Sequence, residues 1–135
     1  MPVHISIFIE THFPVSRPIL KNAVEETLAE QKIQSDIEVS VSIVGDRKMK
    51  KLHGKFLGEA TTTDVLSFPL EDNKSGFVNI PDGILRLGDI VVSYPVARRQ
   101  AQEHNLLVDS EIKILVKHGM LHLLGIHHED TDINE

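Results

Sequence analysis

Cysteine is absent from the chain. Disulfides are excluded, and any bound metal must be held by histidine or carboxylate. A chain without disulfides fits a reducing compartment, and the expected location is the cytoplasm. No apolar run approaches the roughly 20 residues of a membrane span. The first residues, Met1-Pro2-Val3-His4, lack the basic-then-apolar pattern of a secretory signal. Excess positive charge is missing as well: the formal net charge is −6 with histidine neutral. This argues against binding of nucleic acid by bulk charge alone. Internal repeats, low-complexity tracts and an interdomain linker are also absent. At 135 residues, the chain suits one domain with a real core and is short for two. A single domain over residues 1–135 is expected.

What is present is concentrated near the end, in His118-Gly119-Met120-Leu121-His122-Leu123-Leu124-Gly125-Ile126-His127-His128. His118 and His122 stand four apart in an apolar run, so a helix places them on one face, one turn apart, within reach of one ion. Gly125 reads as the helix stop, because glycine takes the left-handed backbone that closes a helix. His127 or His128 then offers a third nitrogen. Three protein ligands with an open fourth position is the pattern of catalytic zinc, since water or substrate needs the vacancy. The spacing resembles the metalloprotease H-E-x-x-H motif, but Gly119 stands where the protease has its glutamate base. A hydrolase built on this motif needs its base elsewhere, which disfavours a peptide-cleaving reading.

Charge is unevenly spread. Arg47, Lys48, Lys50, Lys51 and Lys55 fall in one short segment, and Glu129, Asp130, Asp132 and Glu135 crowd the end. A charge run is usually a solvated face. Its functional reading is a track for phosphates, with Arg47, Lys48, Lys51 and Lys55 as the RNA-binding candidates.

Periodicity gives the elements. Val3, Ile5 and Ile7 alternate with polar positions and predict a strand. Ser16 as N-cap and Pro18 in the first turn predict a helix to about residue 31. Residues 37–44 alternate cleanly and predict a second strand. Asp46 is the expected cap of a helix whose stripe is Met49, Leu52, His53 and Phe56. Val65 to Phe68 reads as a short strand ended by Pro69, and residues 71–83 as loop or hairpin. Residues 87–93 read as a buried strand carrying Asp89. Ser93 caps a helix with Pro95 in its first turn, and Asp109 or Ser110 caps the last one. That last helix, with Ile112, Leu115, Val116, Met120 and Leu123 in one stripe and Ile114, Leu121 and Leu124 widening it, is expected to be central and buried. The order is strand, helix, strand, helix, strand, strand, helix, helix. It predicts an α+β domain: one mixed sheet of about four strands, helices mainly on one face.

Three blocks together, H-G-x-L-H-L-x-G-x-x-H at 118–128, T-D-V-L-S-F-P at 63–69 and L-G-D-I-V-V-S at 87–93, resemble the YbeY family. The resemblance implies a single-domain bacterial metalloprotein, an endoribonuclease that matures and quality-controls ribosomal RNA. It implies one zinc ion per chain on His118, His122 and His128, with His127 where the family usually has aspartate. Asp64, Ser67, Asp89 and His127 are the catalytic candidates, the first three on resemblance and polarity. A second departure is Leu57, which follows Phe56 where the family usually carries arginine. His53 occupies a place where asparagine is common. The implied partners are single-stranded or ribosomal RNA and the small ribosomal subunit with its assembly factors, with no membrane and no DNA. The alternative reading is a ribosome-associated assembly factor with little catalysis and a mainly structural metal, which Leu57 and the negative net charge favour.

Overall fold

The computed structural model describes residues 3–57, 63–70 and 83–126. The expected loop over most of 71–83, His127, His128 and the acidic end lie outside the described residues. Within them the elements run β1 (Val3–Ile9), α1 (Arg17–Glu30), β2 (Asp36–Val44), α2 (Asp46–Leu57), β3 (Val65–Pro69), β4 (Ile84–Ser93), α3 (Tyr94–His104) and α4 (Val108–Leu123). This is the order that periodicity predicts. The strands form one sheet in the order β1-β2-β4-β3. β1, β2 and β4 are parallel, and β3 pairs antiparallel with β4 as an edge. The fold is a mixed-sheet α+β domain. No helix among the described residues is long and apolar enough to cross a membrane.

Alternation in β2 turns Ile37, Val39, Val41 and Ile43 to one face, where Leu85, Leu87, Ile90 and Val92 of β4 join them. Leu20, Val24 and Leu28 of α1 and Ile112, Val116, Met120 and Leu123 of α4 cover that face. A smaller cluster of Val44, Met49, Leu66 and Val91 lies on the other face, with Leu52 and Phe68 against it. So α2 packs across the sheet from α1 and α4. Met49 is fully buried there, and burial of such a side chain contributes roughly 2 kcal/mol.

Two helix starts follow the sequence. The hydroxyl of Ser16 accepts from Ile19 N–H at 3.4 Å, and that of Ser93 from Val96 N–H at 3.3 Å. Two others do not. Gly45, not Asp46, precedes α2, and its carbonyl accepts from Met49 N–H at 3.1 Å. Asp46 is the first helical residue and pairs with Lys50 at 3.4 Å. The last helix starts after Leu107, with no side-chain cap, so Asp109 and Ser110 lie inside it. Asp109 and Glu111 in its first turn still favour the positive end of the helix dipole.

Two residues of α4 lie in environments opposite to their polarity. Ile114 is 52% exposed, whereas Glu111 is only 2% exposed. A buried carboxylate needs a partner, and His104 at the end of α3 supplies one, with Nδ1 2.9 Å from Glu111 Oε1. Lys113 and Lys117 reach across to Glu26 and Glu30 on α1 at 2.8 and 2.9 Å. The hydrogen bond to Glu111, then its charge, raise the His104 pKa above its ordinary value, and Glu103 adds to this. A raised folded-state pKa contributes stability that is full below the unfolded value near 6.5 and is lost as pH rises through the folded value. The urea midpoint should therefore fall across that window, and His104→Gln should flatten the fall. An identical pH profile in the variant would remove His104 as its source.

The β2–β4 register slips between Glu38, opposite Arg86, and Val39, opposite Gly88. Leu87 is the extra residue of a β-bulge. Gly88 takes φ +131, and a Cβ there would run into the Phe68 carbonyl oxygen and stand 2.9 Å from Leu70 N. Both the backbone conformation and the close approach of β3 require glycine. Gly88→Ala should cost about 3 kcal/mol or more, since the strained φ alone costs about 1–3 kcal/mol. Equilibrium denaturation measures this, and a loss below 1 kcal/mol would mean that β3 yields easily.

Candidate metal centre and its cavity

His118 and His122 sit on the last two turns of α4. Their ring centroids are 4.4 Å apart at a tilt of 56°, and both residues are exposed. They continue the row that begins at Ile114, so one outward row of α4 carries Ile114, His118 and His122. Gly119 lies about 100° round the helix from His118, and Ile90 of β4 packs against it. A Cβ at 119 would lie 2.9 Å from Ile90 Cγ2 and 3.3 Å from its Cγ1. The residue in the place of the protease glutamate is thus a packing residue, turned into the protein.

The helix ends as its glycine predicts. Gly125 takes φ +77, its N–H donates to His122 O at 3.0 Å, and Ile126 N–H donates to Leu121 O at 2.9 Å. These two bonds are the Schellman closure. The imidazoles therefore stand near the negative end of the helix dipole, which favours a cation.

Beside the pair opens a cavity of about 390 Å³, lined by His53, Thr63, Asp64, Val65, Leu66, Ser67, His118, Gly119 and His122. It lies at the edge strand. Ser67 pairs in register with Ile90 and so faces the α4 side of the sheet. Asp64 is brought here too, but its carboxylate is engaged. Oδ1 accepts from Val65 N–H at 2.7 Å and Oδ2 from Gln100 Nε2 at 3.4 Å. Its carbonyl accepts from Ser93 N–H at 2.9 Å, tying β3 to the start of α3.

Asp89 is not brought to this cavity. It pairs with Phe68 in register, on the other face of the sheet, and accepts a hydrogen bond from Ser40 Oγ. There it lines a separate groove of about 700 Å³ with Ser42, Leu52, Phe68 and Val91. Arg47, Lys48, Lys51 and Lys55 are exposed on α2, and none of them lines the described wall of the histidine cavity. Lys48 Nζ lies 5.0 Å from the centroid of the Phe8 ring, a cation–π contact. His53, placed by the sequence in the α2 stripe and at a position where asparagine is common, but not among the site candidates, is brought to this cavity. Its signal was its place in the inward stripe of α2, where a polar ring needs a reason.

The donor chemistry fits a divalent ion. Two neighbouring imidazoles at a solvent-open helix end suit zinc, and equally nickel, copper or iron. Among the described residues no third His, Cys, Asp or Glu converges closely enough to complete a ligand set, and the expected third ligand, His128, lies outside them. Gly119→Ala sets a gain of about 1 kcal/mol in helix propensity against overpacking of about 1–3 kcal/mol on a stiff β-branched neighbour. The variant should be less stable by about 1 kcal/mol in denaturant titration, and a stabilised variant would show that α4 has room to move.

A family model described as Endoribonuclease YbeY matches residues 10–135. A protein named Endoribonuclease YbeY from Roseiflexus sp. (strain RS-1) is 38% identical over 121 residues, covering 90% of this chain and 76% of the relative. One of the same name from Dehalococcoides mccartyi is 36% identical over 138 residues, covering 96% and 80%. The solution structure of TM1509 from Thermotoga maritima superimposes with a TM-score of 0.58 at 31% identity, covering 92% of this chain and 74% of that one.

Proposed function

The chain belongs to the YbeY family, and from that premise we propose that it is a zinc-dependent endoribonuclease. It cuts single-stranded RNA in the cytoplasm, in the maturation and quality control of ribosomal RNA, with the small ribosomal subunit and its assembly factors as partners. The observation that carries this reading is the pair of α4 imidazoles opening into a cavity with Ser67 and Asp64, in a chain whose relatives are named endoribonucleases.

His118, His122 and His128 would hold the ion. When bound, it supplies Lewis acidity toward a phosphate oxygen and acidifies a water. The remaining roles belong to the chain itself. The hydroxyl of Ser67 lines the cavity and can donate to a phosphodiester oxygen, whereas that of Thr63 donates to Asp64 Oδ1 at 3.5 Å. Asp64 is committed to Val65 and Gln100, so it fixes the entry of β3 into the cavity wall. Arg47, Lys48, Lys51 and Lys55 are solvent-facing on α2, the helix that also sends His53 into the cavity, and they can neutralise flanking phosphates. Leu57 favours the second reading, an assembly factor with a mainly structural metal, because leucine cannot stabilise developing charge on phosphate.

Purified zinc-loaded protein should cleave single-stranded ribosomal RNA. Chelator and His122→Ala should each reduce cleavage by more than the roughly 10²-fold that changes to residues behind the ligands produce. Cleavage that survives in a metal-free variant sinks the metal mechanism. No cleavage by loaded protein, with retained binding to small ribosomal subunits, moves the weight to the assembly-factor reading.

A further inference from the structure

Within the described wall of the cavity, the side chains able to carry or donate a positive charge are His53, His118 and His122. An ion would occupy the two on α4. His53 comes from a different helix. α2 packs across the sheet from α4, through Met49 against Val91, and the two helices meet the same cavity around edge strand β3. His53 shares the cavity with the pair, yet no three metal-binding side chains converge among the described residues. It therefore faces the same space without joining the ligand set.

The cavity must receive an anion if the substrate is RNA. Its one described carboxylate, Asp64, is already engaged by Val65 N–H, Gln100 and the Thr63 hydroxyl. The exposed cations of α2 do not line it. Either tautomer of an imidazole presents a ring N–H. The neighbouring Leu52 packs against the Met49 cluster, which fixes the rotation of α2 and therefore the direction of His53. We propose that His53 is a substrate-contacting residue: its ring N–H donates to a non-bridging oxygen of the phosphodiester held between α2 and the α4 pair. The proposal rests on the nuclease reading.

His53→Leu and His53→Gln test it, the second retaining an N–H donor. Zinc content, kcat and KM on a single-stranded RNA are measured for each. In parallel, a 2′-O-methyl single-stranded oligonucleotide is titrated into zinc-loaded protein, and the His53 imidazole resonance is followed by NMR. His53→Leu should lose on the order of 10²-fold in kcat/KM with zinc content unchanged, and His53→Gln should recover much of that loss. The wild-type His53 resonance should shift on titration. Wild-type kcat/KM in the Leu variant overturns the proposal, and so does zinc lost together with activity. If loaded wild-type protein cuts nothing, the nuclease reading fails by itself. The resonance then decides: a shift supports the phosphate contact, and an unmoved signal removes it.

Discussion

The site depends on how closely α4 lies on β4. Gly119 leaves no side chain between the helix backbone and Ile90, and Ile112, Val116, Met120 and Leu123 bury the same flank. Together they fix the rotation of the helix. Once Gly119 packs on the sheet, His118 and His122, one and three residues away, are set on the flank beside it, at the border of the cavity that all three line. The histidines are thus aimed by packing, before any ligand is considered. A glycine in mid-helix costs about 1 kcal/mol against alanine. That cost is offset by the close helix–sheet contact and by a pair of rings held 4.4 Å apart.

A second backbone device decides which carboxylate reaches the cavity. Strict alternation from Leu85 and Leu87, both turned to the core, would carry Asp89 to the α4 face. The bulge at Leu87 and Gly88 reverses the parity, so Ile90 and Val92 face α4 and Asp89 faces away. The same Gly88 admits the Phe68 carbonyl of β3 at a distance no side chain would allow. One residue therefore seats the edge strand that forms the cavity wall and sends Asp89 to the opposite groove.

Legibility of the fold in the sequence follows the range of the interaction. The caps at Ser16 and Ser93, the alternation of β2 and the Gly125 stop are local, set within a few residues, and periodicity finds them. The start of α4 is not local. Leu107 carries no capping side chain, and Glu111 is buried because His104 meets it across the α3–α4 turn. Ile114 looks like core in the sequence, yet it lies on the outward row that the histidines require. The pair at 118 and 122 is readable from its spacing. The cavity is not, because it joins position 53, positions 63–67 and positions 118–122 from three elements around a sheet edge. Asp89 was readable as a conspicuous carboxylate in a strand, but its face depended on a bulge that alternation does not announce.

An acidic protein can still serve a polyanion if its charges are separated by more than the screening length. At physiological ionic strength that length is about 8 Å, so carboxylates farther off on the surface repel a bound phosphate weakly. What counts is the charge inside one screening length. In the cavity the one described carboxylate is turned to backbone and Gln100. The C-terminal dipole of α4 favours a cation beside His122, and the exposed lysines and arginine of α2 lie on the helix that carries His53. The net charge of −6 thus suppresses adhesion to nucleic acid elsewhere on the surface. On the nuclease proposal, productive contact is left to an RNA whose phosphate enters the edge-strand cavity.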